Sequence, residues 1–113
     1  MKKVIIMMAV LFIGLSTQAQ EKKNKNAKHN VTVNGNCEMC KKRIEKAAYA
    51  VSGVKSATWD INTHVLGLIL NEQKTALLDV EKAVAKVGHD TKDVKATKED
   101  YDNLHGCCMY ERN

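Results

Sequence analysis

Cys37 and Cys40, a Cys-x-x-Cys pair, are the residues of this chain best suited to chemistry, and near the C-terminus His105-Gly106-Cys107-Cys108-Met109 sets four more soft or borderline donors within five positions. Paired thiolates select soft cations. Copper(I) accepts two-coordinate sulfur whereas zinc(II) ordinarily takes four ligands, so the pair favours copper(I) or another thiophilic ion such as mercury(II). The same spacing serves redox sites and half-sites for zinc, so zinc(II) held jointly by Cys37, Cys40, Cys107 and Cys108 is a competing reading. Cys107, Cys108 and His105 are candidate additional ligands, in a second site or folded back onto the first. The thioether of Met39 is a weak soft donor, and a methionine there more often packs or faces solvent.

Catalysis is the alternative from a different class. A thiol-disulfide oxidoreductase would use the same low-pKa thiol, but thioredoxin-like enzymes set a cis-proline beside the pair and this chain has no proline. Binding without enzymatic turnover is therefore the expectation. Four cysteines in an exported chain would ordinarily suggest two structural disulfides. A bridge between the neighbours Cys107 and Cys108 is strained and uncommon; a disulfide joining the two pairs would latch the tail to the domain, and in an oxidising compartment Cys37 and Cys40 could instead pair with each other.

The elements that must position these residues follow from periodicity. Val31 and Val33 alternate as a short strand, and Asn34-Gly35-Asn36 supplies turn chemistry just before Cys37. Cys40, Ile44, Ala47, Ala48 and Val51 recur at helical spacing, with Gly53 as the stop. Cys37 then lies on the turn and Cys40 in the first helical turn, where unpaired N–H groups, the helix dipole and the nearby Lys41 and Lys42 all favour thiolate. Val54 to Ile61 and His64 to Leu70 read as a hairpin around Asn62-Thr63. Leu77, Val80, Val84 and Val87 mark a second helix ending at Gly88, and Asp90 to Ala96 is a weak last strand. The order βαββαβ predicts an α+β, ferredoxin-like sandwich with a C-terminal extension. Apolar side chains on both faces of His64 to Leu70 require something over the outer sheet face. Tyr101, Leu104 and Tyr110 of the extension could lay a short helix there, and a partner protein docking on that face is the competing explanation.

Lys2 and Lys3, the apolar run Val4 to Leu15 and the small or polar residues Ser16 to Gln20 read as a secretory signal peptide cut before Gln20. The run is shorter than the roughly 20 residues a spanning helix needs, so no permanent membrane span is expected. The product would be periplasmic or secreted. Loss of residues 1–19 removes Lys2 and Lys3 and no acid, lowering the net charge from +5 to +3. Lysines interspersed with acids and without interleaved aromatics exclude a nucleic-acid stripe. Residues 20–29 form a flexible polar leader, 30–96 the domain and 97–113 the Cys- and His-containing extension.

The run Asn34-Gly35-Asn36-Cys37-Glu38-Met39-Cys40-Lys41-Lys42-Arg43-Ile44-Glu45-Lys46-Ala47-Ala48, followed by Gly53-Val54, resembles the heavy-metal-associated domain family, which includes copper chaperones and periplasmic mercury-binding proteins. The resemblance extends from about Asn30 to Ala96. It implies the βαββαβ fold, metal held by Cys37 and Cys40, and ligand exchange with a metal-transporting protein or an acceptor metal-binding domain. His89 stands where the family often has an aromatic residue beside the site, and its imidazole is a candidate third ligand, a tuning group or an exposed loop residue. The family's Gly-Met upstream of the cysteines is replaced by Asn34-Gly35. Loss of that buried methionine predicts a looser metal loop. His64, in the hairpin turn, is expected far from the cysteines.

Overall fold

The computed structural model describes residues 23–112, so the stretch read as a signal peptide and the first residues of the expected leader lie outside it. Strands β1 (Ala27–Thr32), β2 (Val54–Trp59) and β3 (Val65–Leu70) and helices α1 (Glu38–Tyr49), α2 (Leu77–Lys86) and α3 (Lys98–Asp102) follow in chain order, and a 3-10 turn spans Gly106–Cys108. The sheet is antiparallel with order β1-β3-β2. It matches the ferredoxin-like fold expected, with its last strand reduced.

Register explains how the strand with apolar residues on both faces is accommodated. Leu66, Leu68 and Leu70 are buried on the inner face with Val31 and Trp59, against Ile44 and Ala48 of α1 and Val80 and Val84 of α2. Full burial of each such side chain is worth about 1.5–3 kcal/mol, and a one-residue slip would expose all three leucines, so the register is strongly specified. Val65 and Ile69 on the other face are only half-buried, opposite Thr32 and Lys28 of β1.

Three expectations need correction. First, β1 begins at Ala27, inside the stretch read as leader, because Ala27, Lys28 and His29 complete the ladder against Leu70, Ile69 and Leu68. The entry is pinned further when the Asn24 amide donates to the Glu72 carboxylate at 3.0 Å and His29 Nε2 meets the same carboxylate at 3.1 Å. Backbone pairing there outweighs poor hydropathy. Second, Asp90 to Ala96 forms no strand beyond a single bridge between Thr91 and Val33. The Thr91 hydroxyl donates to the Val94 carbonyl and accepts from the Val94 amide, and the Asp90 carboxylate accepts from the Ala96 amide, so local turns consume the groups a ladder needs. Third, the extension does not cover the outer sheet face. It crosses the end of the domain where the cysteine loop lies.

That placement starts from the stop of α2. Gly88 has φ +105, a left-handed conformation suited to glycine, and a Cβ there would stand 2.8 Å from the Asp100 carbonyl oxygen and from the Leu104 side chain. Gly88→Ala should therefore cost about 1–3 kcal/mol from backbone strain, with the clash added, read as a lower urea midpoint. An unchanged midpoint would mean that the extension is not seated on this helix end.

Candidate metal centre

Cys37 is the N-cap of α1 with extended backbone, and Cys40 lies in the first turn, fully buried. Their sulfurs are 3.7 Å apart. The third sulfur comes from the far end of the sequence. Cys108 Sγ, also fully buried, lies 3.7 Å from Cys37 Sγ, and the three sulfurs fall within 4.8 Å of one another.

A clasp around Asp90 holds Cys108 there. Arg112 donates to both Asp90 carboxylate oxygens, at 2.9 and 2.8 Å, and to the Ala96 carbonyl at 2.7 Å, while its guanidinium lies 4.7 Å from the Tyr101 ring centre. The Tyr110 hydroxyl accepts from the Asp90 amide at 2.7 Å and donates to the Gly88 carbonyl at 2.8 Å. Tyr101 and Tyr110 meet edge to face, and Tyr110 stacks on His89. Between these anchors the chain turns through Gly106–Cys108, with the Cys108 amide donating to the His105 carbonyl at 2.8 Å.

The electrostatics divide the sulfurs. The Cys40 backbone N–H, pointing out of the helix N-terminus, brings the Cys37 pKa down to about 7, helped by the Cys40 and Cys108 thiols and the Met39 amide. Burial pushes the Cys108 thiol in the opposite direction, well above its ordinary range, and its hydrogen bonds to the other cysteines add to this. Near neutrality Cys37 is thus about half ionised, while Cys108 stays a thiol.

The other candidate donors occupy different places. Cys107 is exposed, with its Sγ 3.5 Å from Met39 Sδ and 3.9 Å from Cys108 Sγ, and is not in the three-sulfur group. His105 is exposed and precedes the 3-10 turn, outside that group. His89 is neither an exposed loop residue nor part of the sulfur group. It is fully buried, with Nδ1 2.8 Å from the Asn34 carbonyl, and burial lowers its pKa. A neutral imidazole donating from Nδ1 fixes the start of the cysteine loop.

The loop is also supported where the family's methionine is missing. Trp59, fully buried, donates from Nε1 to the Val33 carbonyl at 3.0 Å. A Cβ built on Gly35 would lie 3.1 Å from two Trp59 ring atoms and 3.1 Å from Cys40 Cβ. The indole packs against the loop at Gly35, so the loop has a buried support in spite of the missing methionine. The placement expected of His64 is corrected. It stacks on Trp59 at 5.5 Å and its carbonyl accepts from the Val33 amide, which puts the hairpin turn at the cysteine end of the sheet. Periodicity missed Trp59 as a site residue, although a lone tryptophan ending an alternating strand was a usable signal. Asp90 and Arg112 left none, because no local pattern links residues so far apart.

The architecture is that of heavy-metal-associated domains. Among similar solved structures, a CopZ metallochaperone is 24% identical with a TM-score of 0.56, the match covering 57% of this chain and 98% of that one. The N-terminal domain of a potential copper-translocating P-type ATPase from Bacillus subtilis, solved in the Cu(I)-loaded state, is 26% identical with a TM-score of 0.57, covering 59% and 85%. Oxidized MerP from Ralstonia metallidurans is 25% identical with a TM-score of 0.52, covering 58% and 96%. Neither a family sequence model nor a curated protein sequence matches this chain. Among the described residues no helix is long and apolar enough to cross a membrane.

Proposed function

We propose that this protein is an exported carrier of a soft metal ion, copper(I) before mercury(II), bound by Cys37, Cys40 and Cys108 and passed by ligand exchange to an acceptor metal-binding domain. The observation that carries this reading is the convergence of three sulfurs within 4.8 Å. Metal–sulfur bonds of about 2.3 Å in a trigonal arrangement place sulfurs about 4.0 Å apart, a spacing the group can reach with small side-chain adjustments. Zinc(II) would want a fourth ligand, and Cys107 lies outside the group. The Cu(I)-loaded ATPase domain among the similar structures supports copper and a place in metal transfer, and the MerP likeness keeps mercury(II) as the second cargo. Export rests on the N-terminal apolar run.

The test is competition of the reduced chain from Gln20 onward against chelators for copper(I), mercury(II) and zinc(II). Tight binding of one equivalent of copper(I) with weak binding of zinc(II) is expected, and a preference for zinc(II) would sink the assignment. The pH dependence has a definite sign. Each cysteine ligates as a thiolate, so any proton on Cys40 leaves on binding, Cys108 must release its own, and below about 7 Cys37 must do so too. Affinity should rise with pH, and more steeply below about 7 than above it, where Cys37 is already ionised. Affinity measured from about pH 6 to about pH 8.5 checks this, and a flat profile would contradict it.

A further inference from the structure

Outside the buried group lies a second set of soft donors that the proposed carrier site does not use. Cys107 Sγ is 3.5 Å from Met39 Sδ and 3.9 Å from Cys108 Sγ. Met39 is 45% exposed and Cys107 is exposed, so both donors are open to solvent directly above a buried sulfur. The two come from segments 68 residues apart in the sequence. Met39 belongs to the first turn of α1, and Cys107 to the turn held in place by the Asp90 clasp.

We propose that Met39 and Cys107 form a rim site for a second soft monovalent ion, with Cys108 Sγ shared between the rim ion and the buried one. A thiolate can bridge two soft ions, whereas a thioether is a neutral terminal donor. On binding, the Cys107 sulfur forms a bond to the ion and its proton passes to solvent. Met39 contributes a lone pair and releases no proton. A thioether is a poor donor to hard or borderline divalent ions, so the site favours soft ions such as copper(I) and silver(I). Its exposure makes it the outer of two stations, the one an incoming ion meets first.

The inference rests on Cys37, Cys40 and Cys108 being the first site, and the experiment separates the two. Silver(I), which is redox-inert, is titrated into the reduced chain from Gln20 onward, carrying 13C-methyl methionine, against a competing ligand. Met39 and Met109 are the only methionines in that chain. The first equivalent should bind tightly, and the second more weakly, shifting the Met39 methyl signal while Met109 stays in place. In the Met39→Leu, Cys107→Ser variant the first equivalent should persist and the second weaken on the order of tenfold or more. A wild-type chain that stops at one equivalent, an unmoved Met39 methyl or a variant that keeps the second equivalent would each overturn the rim site. Failure of the first equivalent would instead bring down the carrier reading.

Discussion

Serine at both 37 and 40 should abolish stoichiometric copper(I) binding, lowering affinity by on the order of 10,000-fold, or about 5.5 kcal/mol. Both sulfurs sit on one short segment fixed by the N-terminus of α1, the Trp59 ring and the His89 contact to Asn34, so they meet an ion without further ordering of the chain. Their loss removes the thiolate that is available near neutrality and a fully buried donor beside it. Serine at 108 should cost less, on the order of 10- to 100-fold, because the preorganised pair remains. It should also release about one proton fewer per ion bound and speed transfer to an acceptor thiolate, since the third ligand position is already vacated. Arg112→Ala should reproduce part of that loss without touching a sulfur, because the guanidinium positions Cys108 through Asp90. Chelator competition with pH-stat proton counting reads all of these. Retained tight binding in the Cys37→Ser, Cys40→Ser protein would move the site elsewhere.

Trp59→Ala should have the largest effect on stability, about 3–5 kcal/mol, a large part of what a small domain possesses. The indole is the largest fully buried side chain, and it joins the sheet to the cysteine loop through the Val33 carbonyl and the space beside Gly35. Trp59→Phe keeps part of the ring packing but leaves that carbonyl without its indole partner, for a loss of about 1–3 kcal/mol. Gly35→Met should destabilise the wild type, where a Cβ already meets ring atoms at 3.1 Å, and should be tolerated much better in the Trp59→Ala background. Urea unfolding of the wild type, the Gly35→Met and Trp59→Ala proteins and the double variant measures this coupling. Additive effects would show that the indole does not occupy the place of the missing methionine.

Much of the fold was legible because its signals are local. Apolar spacing marked α1 and α2, and Gly88, directly after the Val87 cap, marked the end of α2 with positive φ, whereas α1 stops at Tyr49, short of the end expected at Gly53. Alternation marked the hairpin, and the three inward leucines of β3 fixed its register. Where periodicity failed, hydrogen bonding had intervened. Pairing with β3 recruited polar residues at Ala27 to His29 into a strand, and the Thr91 and Asp90 turns dismantled one that hydropathy only weakly supported.

The Cys-x-x-Cys pair and its exposure to a helix N-terminus were determined by the sequence alone, because both depend on residues three positions apart. The choice among the tail donors was not. Only the tertiary structure decided that Cys108 turns inward, that Cys107 meets Met39 at the surface and that His89 is a buried support for Asn34. Those outcomes depend on where the Asp90, Tyr110 and Arg112 clasp seats the extension, and contacts between groups about 20 residues apart have no periodic trace in a sequence.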